Sequence, residues 1–393
     1  MPNNTLLTPD QITREALRIL HQESTFLSTI HRDYDSSFAK KGGKIGETLR
    51  IRLPNQYTVR RGNTMQTQET NERSTTLAIR DKAGVDLNFS SDELTLSLDD
   101  FSTRIIKPAM AVLASDIEAD ALNTMRRQIY QQVGQAGSTV GLRTFLEGRK
   151  ALQDALAPNT KRYALLNTQD NVDLVESLSG LFNNTKEVGK QYLKGYMGET
   201  AGFTFMESTH LTSQARGSGN GYVSDGVAQT GSAITVDTGT GTIMAGEIIT
   251  FDGVNRVHPE TKVDTGDLQQ FVVLDDFAGG AGQINISPAI ETTGAYRNVT
   301  QAVADDSPVQ IFGSVDEGYG QSLVYCPEAF TFATADLVKP DGVDMCSRQV
   351  YEGISMRLIR DYQIGDDEFP ARIDVLYGFQ TIRAQLAARV AAN

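Results

Sequence analysis

FSTRIIKPAMAVLASDIEADALNTMRRQIYQQVG, residues 101–134, is the longest uninterrupted helical pattern in the chain. Apolar side chains recur at Ile106, Met110, Leu113, Ile117, Ala121, Met125, Ile129 and Val133, in steps of three or four. That spacing puts them on one face of an α-helix. Asp99 or Asp100 can cap its start, and Pro108 falls near the first turn, where a missing N–H costs little. Gly134 and Gly137 supply the stop. The pattern therefore predicts a rod of roughly 40 Å from Pro108 onward.

Immediately before this helix lies a two-stranded excursion, residues 45–90. ETLRIRL alternates Leu49, Ile51 and Leu53 with arginines, and STTLAIR places Leu77 and Ile79 on one face. Period-two alternation predicts strands with one covered side. Between them, PNQYTVRRGNTMQTQETNER (54–73) is polar and nearly devoid of core residues. Twenty residues exceed an ordinary hairpin loop, so this tip is expected to be functional or disordered. Further back, Thr8-Pro9-Asp10-Gln11 has the form of a capping box with Pro at the first helical position. Ile12, Ala16, Ile19 and Leu20 continue it as a helical stripe, which folds onto its own domain or lies on a neighbouring subunit.

After the central helix, Gly141–Leu156 predicts a second amphipathic helix. Tyr163–Leu166 predicts a buried strand, and a third helix capped by Asp170 carries Leu174, Val175 and Leu178. Residues 228–312 differ in kind: short apolar runs alternate with Gly, Asp, Thr and Pro turns, predicting a small antiparallel barrel or sandwich. This stretch holds eleven Asp/Glu against three Lys/Arg, so −8 of the net charge of −13 sits here. Strands at 354–359 and 371–379 then rejoin the earlier α/β material, which makes the β module an insertion.

The acidic balance argues against a dedicated nucleic-acid binder. The N-terminus lacks the pattern of a secretory signal, and no apolar run is long enough for a membrane span. Four histidines and two cysteines form no metal spacing. The Gly-rich segments at 217–221 and 238–242 precede no helix that would complete a phosphate cradle. The paired carboxylates at 275–276, 305–306 and 366–367 fit no regular calcium loop. No catalytic residue, cofactor or metal is expected.

The order of these parts resembles the major capsid proteins of tailed phages. The shared architecture is the α+β Hong-Kong-97-type fold, in the P-22-like coat protein branch with an inserted β-barrel domain. The resemblance is carried by SLDDFSTRIIKPAMAVLASDIEADAL (97–122), GYMGETAGFTFMESTHL (195–211), MAGEIITFDGV (244–254), INISPAI (284–290), RNVTQAVADDSPVQI (297–311) and LYGFQ (376–380). It implies an N-terminal arm at 1–44, an extended loop at 45–90, and a peripheral domain at 91–159 with its spine helix. It further implies an axial domain at 160–227 returning at 313–345, an inserted barrel at 228–312, and closing strands at 346–393. The implied function is a non-enzymatic shell protein of the virion. Its pentamers and hexamers are assembled in the host cytoplasm around double-stranded DNA, with a portal protein and no membrane. The loop tip has no lysine, so lysine-based crosslinking between subunits is not expected. Only about 44 residues precede the loop, so a separate scaffolding protein is implied. Arg60, Arg61 and Arg73, with Tyr57, Thr8 and Ile12, are the expected inter-subunit contacts. The helix face carrying Glu118, Arg126 and Arg127 is expected to look toward the shell interior or a neighbour. Two other readings are an encapsulin-type nanocompartment, which shares the fold, and a carbohydrate- or metal-dependent enzyme with a β accessory module.

Overall fold

The structure, a computed structural model, describes residues 9–32, 48–60, 62–65, 67–69, 72–79, 81–90, 106–178, 198–351, 354–365 and 368–392. It is mixed α+β and divides into two compact units. The first comprises residues 1–51, 74–122 and 330–380; the second comprises 52–73, 123–329 and 381–393. Residues 346–393, expected as one closing segment, are therefore shared between the two. The predicted strand run at 94–98 and the first residues of the long helix lie outside the described residues.

In the first unit, helix α1 (Pro9–Glu23) lays Ile12, Ala16, Leu17, Ile19 and Leu20, all buried, on the hairpin of strands Met345–Tyr351 and Ile354–Arg360. Asp10 at its start accepts hydrogen bonds from Ser347 Oγ (2.6 Å) and Gln349 Nε2 (3.0 Å). The arm thus docks on its own subunit. The hairpin belongs to a five-stranded sheet built on the long strand Glu368–Thr381, which also bonds to Phe330–Ala335 and Asp81–Ser90. Register there is set face by face. Gly84 stands opposite Asp374, and a methyl at Gly84 would come within 2.7 Å of the Asp374 carboxylate. The missing side chain leaves room for a fully buried acid that three cations reach: Arg357 Nη2 at 2.6 Å, Arg372 Nε at 2.7 Å and Lys82 Nζ at 3.2 Å. Near the end of the same strand, a Cβ on Gly378 would lie 2.3 Å from the carbonyl oxygen of Ala78. That obstacle is backbone and cannot swing aside. Gly378→Ala is expected to cost about 2–3 kcal/mol in urea unfolding; a loss within measurement error would show that these strands separate freely.

Helix α2 (Lys107–Arg126) buries Ile106, Met110, Leu113, Ile117, Ala121 and Met125, as the stripe predicts. Its extent and its opposite face differ from expectation. Ile129 is buried beyond the helix, and Gln132–Gly134 is a strand pairing in parallel with Ala387–Ala391, so sheet pairing overrides the continuing helical spacing. Glu118 and Arg126 do not face a neighbour or an interior: both are buried. Glu118 accepts from the backbone N–H groups of Thr25 (2.8 Å) and Phe26 (3.1 Å) and from Thr25 Oγ1 (2.7 Å), so one carboxylate takes three donors of the same turn. Arg127 is exposed.

The second unit holds a six-stranded mixed sheet in the order Gln132–Gly134, Ala387–Ala391, Gln321–Tyr325, Tyr163–Leu166, Phe203–Glu207, Glu199–Thr200. Helix α3 (Leu142–Asp154) packs on it through Phe145, edge-on to Phe205 at 5.5 Å, and through Gly148 beside Val324. Helix α4 (Thr168–Leu178) lies in sequence between the parallel strands Tyr163–Leu166 and Phe203–Glu207. Asn167, not Asp170, caps it: its Oδ1 accepts from the N–H groups of Gln169 (2.7 Å) and Asp170 (3.2 Å). Asp170 instead lies fully buried and takes the Ser322 hydroxyl. Burial pushes its carboxyl up to about 6, with Ser322 pulling back and Asp173 pushing further. The unfolded carboxyl loses its proton near 3.8 and the folded one near 6, so this group makes stability fall as pH rises between those values. Asp170→Asn is expected to gain about 2–3 kcal/mol at pH 7 and to remove that slope, read by urea unfolding across pH. An unchanged slope would refute the assignment.

The same unit contains the β module. Its sheet runs Val309–Ile311, Ile248–Phe251, Phe271–Val273, Gly282–Ile290, Gly231–Asp237, Val223–Ser224, with antiparallel neighbours throughout. The two edges nearly meet. Val223 bridges to Pro308, and Val309 N–H bonds to Tyr222 C=O at 2.9 Å. Ile234, Val236, Ile249, Phe251, Phe271 and Ile286 fill the interior. A hairpin of Asn255–Val257 with Asp264–Leu268 projects from it.

Candidate functional site

The polar tip is built from its base outward. Strand Thr48–Arg52 pairs with Ser74–Ala78, supported by Arg50 Nε on Ser74 Oγ at 2.7 Å. One more rung, Leu53 N–H to Arg73 C=O at 2.9 Å, extends the ladder. Beyond it, the described residues form no strand, and side chains take over the cross-links. Gln68 reads both backbone groups of Thr58, accepting from its N–H (2.8 Å) and donating to its C=O (2.6 Å). Arg60 turns back on the tip and donates to the carbonyls of Thr64 (3.0 Å) and Gly62.

The base is fastened to the β module. Arg73 Nη2 reaches both carboxylate oxygens of Glu291 at 2.5 and 2.7 Å, and its guanidinium lies 3.7 Å over the ring of Tyr296. Such a charge-assisted bond with a stacked ring combines two favourable contacts on one planar group. A second tie runs from Lys262 Nζ to Gln56 Oε1 at 3.5 Å and to the carbonyl of Arg297 at 3.2 Å. Burial pushes the Lys262 ammonium down, and Glu291 pulls it back up.

Of the expected contact residues, the two described arginines both have partners within the chain. Arg73 is engaged by Glu291 and Tyr296, and Arg60 closes its own turn. Ile12 is buried beneath α1, so it belongs to the core and not to a contact surface. Thr8 and Arg61 lie outside the described residues. Tyr57 is exposed, and two residues not singled out from sequence are more so: Val59 at 90% and Met65 at 76%. Their signal is visible in hindsight, as the apolar residues in an otherwise polar twenty. The tip thus offers three exposed apolar side chains on a tethered, pre-shaped loop, an arrangement suited to covering another surface.

Nothing comparable points to chemistry. Among the described residues, no group of three or more His, Cys, Asp or Glu is placed to hold a metal ion. Burial pushes the Cys326 thiol up to about 11, away from the thiolate that a nucleophile needs. Of the paired acids, 366–367 lie outside the described residues; Asp275 accepts from the side-chain amide of Asn285, Asp276 from the N–H of Ala245 and Asp305 from the N–H of Gly226. No described helix is long and apolar enough to cross a membrane.

Residues 44–388 match the family model described as P22 coat protein, gene protein 5. No curated protein matches the sequence. Among solved structures, the chain is similar to a protein of Mycobacterium phage Che8, at 12% identity and TM-score 0.49, covering 93% of this chain and 90% of that one. It is also similar to the acid-stable capsid of Helicobacter pylori bacteriophage KHP30, at 11% identity and TM-score 0.41 over 94% and 91% of the two chains. A virus-like particle from Pyrococcus furiosus matches at 9% identity and TM-score 0.39 over 96% of each.

Proposed function

The chain belongs to the P22 coat protein family, and on that premise we propose that residues 54–73 are the contact by which one subunit covers the next. The protein is a major capsid protein, a structural component whose copies assemble into a shell. The observation that carries this is the match over residues 44–388. In our reading the fold is of the Hong-Kong-97 type. Helix α2 serves as its spine, residues 160–227 with 313–345 as the axial domain, and the nearly closed β module as an inserted barrel.

The chemistry of the tip supports its part in assembly. A loop held at its base by Arg73 and Lys262 loses little further freedom when it docks, so the apolar contacts of Tyr57, Val59 and Met65 are not offset by ordering costs. Contacts of this head-to-tail kind repeat around a ring and close it. Five- and six-fold rings together give an icosahedral shell. With −8 of the net −13 on residues 228–312, the module is suited to a solvated position outside rather than against DNA. A separate scaffolding protein, a portal protein and double-stranded DNA held without sequence preference complete the proposed partners.

Electron microscopy of the purified protein, alone and with the scaffolding protein of the same phage, tests the reading. Closed shells of uniform curvature are expected. A monodisperse small oligomer under every condition would overturn it.

A further inference from the structure

Three arginines lie inside the second unit with little compensating charge. Arg126, the last residue of α2, and Arg389, in the strand Ala387–Ala391, are fully buried; Arg216 is 6% exposed. Arg126 donates to Gln321 Oε1 and to Thr212 Oγ1 (3.1 Å), and Arg389 Nη1 donates to the carbonyl of Gly246 (2.7 Å). All three of these acceptors are neutral. Arg216 spends its Nη1 on the carbonyls of Gly217 and Gly219.

Several donors remain without a protein partner although they are buried: Arg126 Nε, Arg389 Nε and Nη2, and Gln321 Nε2. The two guanidiniums are close enough to repel. Burial pushes Arg126 down to about 9, and Arg389 pushes it in the same direction. The acid beside them is Glu247, whose Oε1 is taken by the N–H groups of Gly217 and Met244 and whose charge acts on Arg216. Even with its other oxygen unengaged, one carboxylate cannot neutralise three guanidiniums. Tyr319 lies in the same field, but burial raises its phenol, so it stays protonated and brings no negative charge. Buried cations without a counter-charge are costly, and buried N–H groups without acceptors add to that cost.

We propose that Arg126, Arg389 and Gln321 form an internal site for a small inorganic anion. The free atoms of these three side chains, Arg126 Nε, Arg389 Nε and Nη2 and Gln321 Nε2, are all hydrogen-bond donors, and two of the three side chains are cationic, which is the donor set that a halide or a small oxyanion requires; the unengaged oxygens nearby include those of Glu247 and Gln214. Once bound, the anion bridges the end of α2, the strand Ala387–Ala391 and the Gly246 turn at the entry to the β module. It thereby ties that module to the six-stranded sheet.

The test is thermal unfolding of the full-length chain at constant pH and ionic strength, with sodium gluconate replaced stepwise by chloride or, separately, by phosphate. Gluconate is too bulky for a site of this kind. A saturable rise of the midpoint by a few degrees is expected with at least one of the two anions, and which one responds identifies the occupant. Arg143→Gln, at an arginine exposed on α3, should keep the response. Arg389→Gln should lose it. Gln321→Glu guards against a variant that does not fold: it supplies a carboxylate beside Arg126. It should raise the midpoint in gluconate and abolish any further rise. No saturable response in the unaltered chain, or an undiminished one in Gln321→Glu, overturns the proposal.

Discussion

Removing residues 54–73 and rejoining the flanking strands with a short turn yields a subunit that folds normally and forms no closed shells. The two halves of this expectation rest on different facts. No residue described between 54 and 73 is buried, so the deletion takes nothing from either core. What the subunit loses is the Arg73–Glu291 pair and its stacking on Tyr296, with Arg73 42% exposed, together with the Lys262–Gln56 contact and the Leu53–Arg73 rung. Exposed ion pairs contribute about 0–1 kcal/mol, so thermal unfolding of the free subunit should barely change. Assembly loses Tyr57, Val59 and Met65, the apolar surface that the tip presents. Because a shell closes only when every contact repeats, weakening one contact class multiplies through the whole assembly. Gel filtration and electron microscopy should show soluble subunits or small oligomers. Normal shells from the deleted protein would remove the loop from the assembly contact and leave the family assignment standing.

Asp374→Asn should be the most damaging single substitution in the first unit, at about 3 kcal/mol in urea unfolding. The carboxylate is fully buried and receives Arg357, Arg372 and Lys82 together. Taking one partner out of a buried ion network leaves its other members uncompensated, a loss of about 3–5 kcal/mol. Arg372 is 53% exposed and can turn to water, which places the expectation at the lower end. The pH dependence has a definite sign. Burial alone would raise Asp374, but the bonds from Arg357, Arg372 and Lys82 outweigh it and hold the group below its usual 3.8. Its stabilisation is therefore present above the unfolded value and lost as pH falls through the folded one. Asp374 and Asp170 pull in opposite directions, which puts greatest stability near 3.8, the unfolded value they share, as far as these two groups decide it. In Asp374→Asn the acid limb should flatten. A limb identical to that of the unaltered chain would mean that the three cations find other partners.

Much of the architecture is legible in the sequence because periodicity reports burial. The stripe from Ile106 to Met125 does so for α2, and the short apolar runs between turns do so for the β module. Legibility fails where the two separate. The strand Asp264–Leu268 is exposed along its whole length, so it has no apolar face to reveal its alternation. The stretch from Ile129 to Val133 keeps helical spacing yet is claimed by a strand partner more than 250 residues later, which no local window contains. Charged residues mislead most. Glu118 and Arg126 read as outward-facing, and they are internal because distant groups meet them: the backbone of Thr25 and Phe26 for Glu118, the side chains of Gln321 and Thr212 for Arg126. The same distance hides the tether of the tip: Arg73 and Glu291 stand 218 positions apart. What remained visible was the tip itself, since a polar stretch of twenty residues between two strands needs no partner to be noticed.

The place of Ala387–Ala391 in the six-stranded sheet bears on how the protein is made. This strand lies between Gln132–Gly134 and Gln321–Tyr325 and is buried at all five positions. A nascent chain on the ribosome can fold the β module, whose strands all lie between residues 223 and 311, long before the sheet beside it has its interior member. Until residue 391 emerges, Gln132–Gly134 has no strand to pair with, and Gln321–Tyr325 lacks a neighbour on one side. A chain that stops ahead of Ala387 therefore lacks the interior member of this sheet. Because that late strand joins segments made much earlier, closing the sheet demands contacts of high sequence separation, the slow kind. Translation order thus leaves this sheet open until the strand Ala387–Ala391 has been made.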